Sequence, residues 1–359
     1  MKKIGIVTFH RADNYGAVLQ TYATQTILND MGYCANIVDY RSPDMEEMYK
    51  LCRVKKGISF VHKCKIIGHD FFRILRRHRF MSFRKKYLKT DRIYTPQNIS
   101  ESNKVYDVFL TGSDQVWNDS CSLKDSVYCL TFVEDKKKKI SFSASFGFDF
   151  IEKEREEFYK TALGRFDSIS VREKSGVEIV EKLIGKKPDI IPDPTFMLTK
   201  EMWNNIAHMP KEKKYILIYL LNARDDLLEF AKSLSEKTGL SIINITDENH
   251  KIIDAKYVHN AGPCEFLGYY NNAEYVVTNS FHGLMFSLIY RKSVYVDIPE
   301  GKQTTFERLT YILGKIGITD RYIKNLPEDF IPSKIDYTPY EEKISKLKQD
   351  TLMFIEKNL

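Results

Sequence analysis

The chain has 359 residues, of which 43% are apolar and 29% charged, with a formal charge of +7. That balance excludes a disordered chain, and the length suits two domains of roughly 150 residues each with one cleft between them. No run approaches the ~20 apolar residues of a membrane span, and the apolar stretch 4–9 is broken by His10 and Arg11 too early for a secretion signal, so a cytoplasmic protein is expected.

Residues 3–8 read as a buried strand and 17–31 as a helix, followed by Gly32 and a second strand at 36–40, a β-α-β opening. Next comes a basic block. Between Arg53 and Arg92 stand 14 Lys/Arg against Asp70 and Asp91, interleaved with Phe71, Phe72, Ile74, Leu75, Phe80, Phe83 and Leu88 at roughly helical spacing. Such an insertion, about 44–92, fits an anionic surface, or else a solvated helix with one face packed on its domain. Six scattered cysteines (Cys34, Cys52, Cys64, Cys121, Cys129, Cys264) form no C-x-x-C pair and suit reduced thiols.

Strands are predicted at 107–111, 139–144, 168–171 and 189–191, with helices at 152–163 and 175–183. Pro192-Asp193-Pro194 breaks the series, and 195–213 reads as the passage between domains. A second series follows: strand 214–220, helix 225–238, strand 241–245, helix 263–271, strand 274–277, a helix after Ser280, strand 293–296, helix 305–316 and a last helix at 340–356. Alternation of this kind implies parallel sheets covered on both faces. The expected domains are 1–195, 196–335 and a C-terminal helix within 336–359.

In open parallel sheets, ligands bind beyond the carboxyl ends of the strands. Five polar loops occupy such places: H-R-A-D-N-Y-G, T-G-S-D-Q-V-W-N, S-A-S-F-G, S-V-R-E-K-S and T-N-S-F-H-G. None is a G-x-G-x-x-G or phosphate-loop motif, no D-x-D occurs, and the eight histidines do not pair at ligand spacing, so neither a cofactor nor a metal is expected. Asn14 and Ser280 can each cap a helix and leave backbone N–H groups for an anion. Arg172 can grip a phosphate or carboxylate with two prongs. His282, in the last strand-to-helix loop, is the candidate acid, and Gly283 beside it suits either close approach of a substrate or helix packing.

Taken in order, G-I-V-T-F-H-R-A-D-N-Y-G-A-V-L-Q, F-L-T-G-S-D-Q-V-W-N, I-S-F-S-A-S-F-G, I-S-V-R-E-K-S-G, D-P-T and T-N-S-F-H-G resemble the polysaccharide pyruvyl transferase family over about residues 1–325. The resemblance implies two Rossmann-like domains facing a cleft, glycosyltransferase-B-like, with the donor in the C-terminal domain. It also implies transfer of pyruvate from phosphoenolpyruvate onto a sugar of a surface polysaccharide as a ketal. Arg172 and His282 correspond to donor residues of the family. Many members carry an arginine where this chain has Ser280, and Arg308 or Arg321 is expected to replace it. Asp13 and Asp114 are candidate bases, while Asn14, Tyr15, Gly16, Ser113, Gln115, Ser280 and Gly283 are expected to contact substrate.

The implied partners are phosphoenolpyruvate and a lipid-diphosphate-linked saccharide, with the basic block against an anionic membrane face and no nucleic acid. The two-domain architecture alone also admits a nucleotide-sugar glycosyltransferase, which stands as the alternative.

Overall fold

The computed structural model describes residues 2–49, 60–222, 224–247, 253–298, 307–327 and 329–359, with the backbone alone for 60–70. Strands β1 (Lys3–Val7), β2 (Cys34–Tyr40), β3 (Thr90–Tyr94), β4 (Val108–Thr111), β5 (Lys138–Ala144), β6 (Ser168–Val171) and β7 (Asp189–Ile190) form one parallel sheet, ordered β3-β2-β1-β4-β5-β6-β7. Strands β8 (Ile216–Tyr219), β9 (Ile242–Ile245), β10 (Lys256–Val258), β11 (Tyr275–Thr278) and β12 (Ser293–Val296) form a second, ordered β10-β9-β8-β11-β12 and also parallel. Central strands such as I-L-I-Y and Y-V-V-T are buried at every position, as strands covered on both faces must be.

Around the first sheet lie α1 (Tyr15–Asp30), α2 (Pro43–Met48), α3 (Phe60–Tyr87), α4 (Asp119–Ser122), α5 (Lys153–Gly164) and α6 (Lys174–Ile184). After the connecting α7 (Lys200–Asn204) come α8 (Asp225–Thr238), α9 (Pro263–Asn272), α10 (Phe281–Ile289) and α11 (Glu307–Ile316) of the second domain, then α12 (Glu341–Asn358). The C-terminal helix returns to the first domain: Phe354 stacks 6.4 Å from Phe142 of β5, and Ser168 donates a hydrogen bond to Asn358. No helix among the described residues is long and apolar enough to cross a membrane.

Strand β3, a polar edge strand, and the three-residue β10 were not anticipated, because both are defined by their neighbours rather than by an apolar run. Residues 53–59 of the basic block, and 305 and 306 of the expected last-but-one helix, lie outside the described residues.

The apolar core runs without a break from one domain into the other. Tyr15 stacks on Phe266 of α9 at 4.3 Å, touches Phe80 of α3 at 5.2 Å, and donates its hydroxyl proton to the Ala261 carbonyl at 2.8 Å. Helix α3 spans this seam. Arg76 reaches Asp247 of the second domain at 2.9 Å while its guanidinium lies over the Tyr15 ring, and Arg79 donates to the Asn260 carbonyl. The basic block thus directs part of its charge inward, where it clasps the two domains.

Candidate active site

Each sheet has one topological switch point, between β1 and β4 in the first and between β8 and β11 in the second, where strand order reverses and a crevice opens. The two crevices face each other. A cavity of about 250 Å³ between them is lined by Asn14 after β1, Asp114, Gln115 and Asn118 after β4, Tyr219, Leu221 and Asn222 after β8, and Asn279 to His282 after β11. Gly147 and Arg308 complete its wall.

Beneath the cavity lies Asp193, fully buried. Its Oδ2 accepts hydrogen bonds from Arg172 Nη1 at 3.0 Å and Ser113 Oγ at 2.8 Å, and stands 3.3 Å from His282 Nε2. Its Oδ1 accepts from the Thr195 backbone and hydroxyl, at 3.0 and 2.7 Å. Burial alone would raise this carboxyl, but His282, Arg172 and the Thr195 N–H outweigh it and hold Asp193 well below the usual carboxylate range. A permanent anion therefore sits under one imidazole and one guanidinium.

The His282 ring is fixed from the other side by the first domain. A Cβ on Gly16, in the first turn of α1, would stand 2.0 Å from Nδ1 and 2.4 Å from Cγ, so only glycine admits the ring. Ser280 caps α10 by accepting from the Gly283 N–H at 3.3 Å, and Asn14 caps α1 by accepting from the Ala17 N–H at 3.2 Å. Two helix N-termini thus point at one cavity.

Two cations flank the Phe281 ring, Arg172 at 4.3 Å and Arg308 at 5.8 Å from its centroid. Burial first, and the neighbouring Arg172 second, push the Arg308 guanidinium down to about 10. Like charges brought together in a desolvated wall favour an anion between or above them. Arg172 itself does not line the cavity. It is 3% exposed, lies behind Phe281 with Nη2 3.8 Å from Asp114, and its Nε and Nη2 have no hydrogen-bond partner among the described residues.

Of the residues singled out in the sequence, Asn14, Asp114, Gln115, Ser280, His282 and Arg308 meet in the cavity, with Gly16 against His282. Others are elsewhere. Arg321 is held in the second domain by the Ser333 carbonyl at 3.0 Å and lies over Tyr295, so Arg308 is the arginine at the cavity. Tyr15 packs in the domain seam, and Gly283 faces Thr278, where a Cβ would come within 2.2 Å of Oγ1, so helix packing is its role. Asp13 is clamped by Arg77 at 2.7 Å and Arg84 at 3.0 Å, and Ser113 is buried as a support for Asp193.

Asp193 was read as part of a chain break and of the D-P-T motif, with no role in the site. Its signal was an aspartate ahead of a proline shortly after a strand, close to the strand-end position of the other loops. Tyr219, Asn222 and Asn279 also follow switch-point strands, and the strand-end rule could have found them.

The model of the family described as polysaccharide pyruvyl transferase matches residues 14–296. No curated protein matches the chain. Among solved structures, UDP-GlcNAc 2-epimerase from Neisseria meningitidis bound to UDP-GlcNAc is 11% identical over 100% of both chains, with a TM-score of 0.50. UDP-GlcNAc 2-epimerase from Methanocaldococcus jannaschii is 12% identical over 97% of this chain and 92% of that one, TM-score 0.49. The glycosyltransferase SnogD from Streptomyces nogalater is 10% identical, covering 98% and 95%, TM-score 0.46. At such identity the first of these speaks for a shared two-domain, glycosyltransferase-B-like fold and nothing more.

Proposed function

Since the chain belongs to the polysaccharide pyruvyl transferase family, we propose that it moves pyruvate from phosphoenolpyruvate onto two hydroxyls of a lipid-linked saccharide, forming a ketal. The observation that carries this reading is the placing of His282, braced by Asp193 and Gly16, in one cavity with Phe281 and Arg308, with Arg172 against the Phe281 ring outside its lining.

Arg308 and the N-terminus of α10 receive the anionic groups of the donor, with Arg172 adding charge from behind Phe281. His282, held 3.3 Å from Asp193 through Nε2, is the group that delivers the proton. Protonation of the donor methylene gives a methyl group and an oxocarbenium-like C2. One acceptor hydroxyl bonds to C2, the C2–O bond to phosphate breaks, and the second hydroxyl closes the ring. The two hydroxyl protons end on the methyl group and on inorganic phosphate. Asp114, at the cavity wall with Oδ1 fixed by the Gln115 N–H at 2.9 Å, is the base for the hydroxyls.

Helix α3 keeps Phe71 and Phe72 about half exposed, with exposed Lys85 and Lys86 about four turns further along, and these residues would meet an anionic membrane carrying the acceptor. The proposal is tested by following phosphate release from phosphoenolpyruvate with an acceptor glycan. His282→Ala should lower turnover by ~10²-fold or more, and near wild-type turnover would refute the assignment.

A further inference from the structure

The cleft does not end at the donor cavity. A second lobe of about 250 Å³ adjoins it, sharing Asn14, Tyr219 and Leu221, and is lined further by Tyr49, Arg76, Thr246 and Asp247. Its chemistry is opposite to that of the first lobe. Arg76 is committed to Asp247 at 2.9 Å and to the Asp13 carbonyl at 3.4 Å, and Asp13 in turn to Arg77 and Arg84. What the lobe offers a ligand is the Asp247 carboxylate, whose side chain is 75% exposed, the Asn14 amide and the phenol of Tyr49. Burial pushes that phenol up to about 12, with Asp13 and Asp114 adding to the shift, so Tyr49 faces a ligand as a neutral hydroxyl.

A lobe that offers a carboxylate oxygen, an amide N–H and a phenol, with an aromatic wall and its arginine committed to Asp247, suits a ligand whose hydroxyls both donate and accept hydrogen bonds and which carries no charge. We infer that this second lobe is the subsite for a neutral sugar ring of the acceptor, with Tyr49 as its aromatic wall and Asp247 as the acceptor of its hydroxyl protons. The inference rests on the pyruvyl-transfer reading for the direction in which the ring points: past Asn14 and Tyr219, toward Asp114 and His282. It adds that the ring held here is a neutral sugar and neither a uronic acid nor a phosphorylated sugar.

The experiment is saturation-transfer NMR of the full chain with methyl glucoside, methyl galactoside, methyl mannoside and methyl glucuronide, using wild type, Tyr49→Ala and Asp247→Ala. Asp247 is exposed, so its variant should fold, and the melting shift with phosphoenolpyruvate checks both variants for an intact donor cavity. At least one neutral hexoside should bind wild type, the glucuronide about tenfold more weakly, and each variant should lose about tenfold in hexoside affinity while keeping the phosphoenolpyruvate shift. Hexoside binding unchanged in both variants, preference for the glucuronide, or no hexoside binding to wild type would each overturn the inference. If wild type shows no phosphoenolpyruvate shift yet loses hexoside in both variants, the sugar subsite stands and the pyruvyl-donor reading falls.

Discussion

Gly16 of the first domain and His282 of the second are in contact across the cleft, so closely that a Cβ on Gly16 would lie 2.0 Å from the imidazole Nδ1. The backbone of one domain therefore sets the position of the imidazole carried by the other, the acid of the proposed reaction. In a free helix, Gly→Ala is favourable by about 1 kcal/mol. Here Gly16→Ala should displace the imidazole and lower kcat/KM by about 10²-fold. In a His282→Ala background the same substitution should cost no further activity, a non-additive pair that a double-mutant cycle of turnover measures.

Asp193 binds Arg172, His282, Ser113 and Thr195 together. Asp193→Asn takes from the buried Arg172 the one carboxylate it hydrogen-bonds, leaving Asp114 at 3.8 Å and Glu173 at 4.0 Å, and should destabilise the protein by about 3 kcal/mol, read as a fall in urea midpoint.

Stability against pH carries the same signature. The folded-state carboxyl lies below its unfolded value near 3.8, so at acid pH the unfolded chain binds the extra proton. The stabilisation is complete above about pH 5 and drains away as the pH falls through about 4 and below. Melting temperature followed from neutral to acid pH should show this loss in wild type and a flatter acid limb in Asp193→Asn.

Arg308 stands at the cavity wall beside Arg172, and because a guanidinium keeps its charge across the working pH range, it is the residue expected to hold a phosphate-bearing donor. Arg308→Met should bind phosphoenolpyruvate ~10- to 100-fold more weakly at neutral pH, the worth of one charged hydrogen bond, as a binding titration measures.

Asp13, clamped between Arg77 and Arg84, is a joint between the first loop and α3. Asp13→Asn should lower the melting temperature while leaving kcat within a few-fold of wild type, whereas Asp114→Asn should do the reverse.

The alternation of apolar strands and helices made both sheets legible in the sequence, because fully buried parallel strands such as I-L-I-Y leave a continuous apolar signal. The polar loops were legible too, since the strand-end rule places them at the cleft. What stayed hidden depends on pairs distant in the chain. Nothing local distinguishes Asp193 under His282 from an aspartate in a linker, Arg308 at the cavity from Arg321 at Ser333, or Gly16 against a ring from a glycine at a helix start. The partners of the basic block stayed hidden for the same reason: Arg76, Arg77 and Arg84 look solvated until the acids from other elements that they meet are known.

The most direct test is the melting temperature of the purified protein with phosphoenolpyruvate, set against a panel of nucleotide sugars, in wild type and Arg308→Met. A ligand at 100 times its Kd stabilises by ~2.7 kcal/mol, a shift that is readable for this chain. The account predicts a shift with phosphoenolpyruvate that Arg308→Met abolishes. A shift with a nucleotide sugar alone, unaltered by that substitution, would contradict it and assign the cleft to glycosyl transfer.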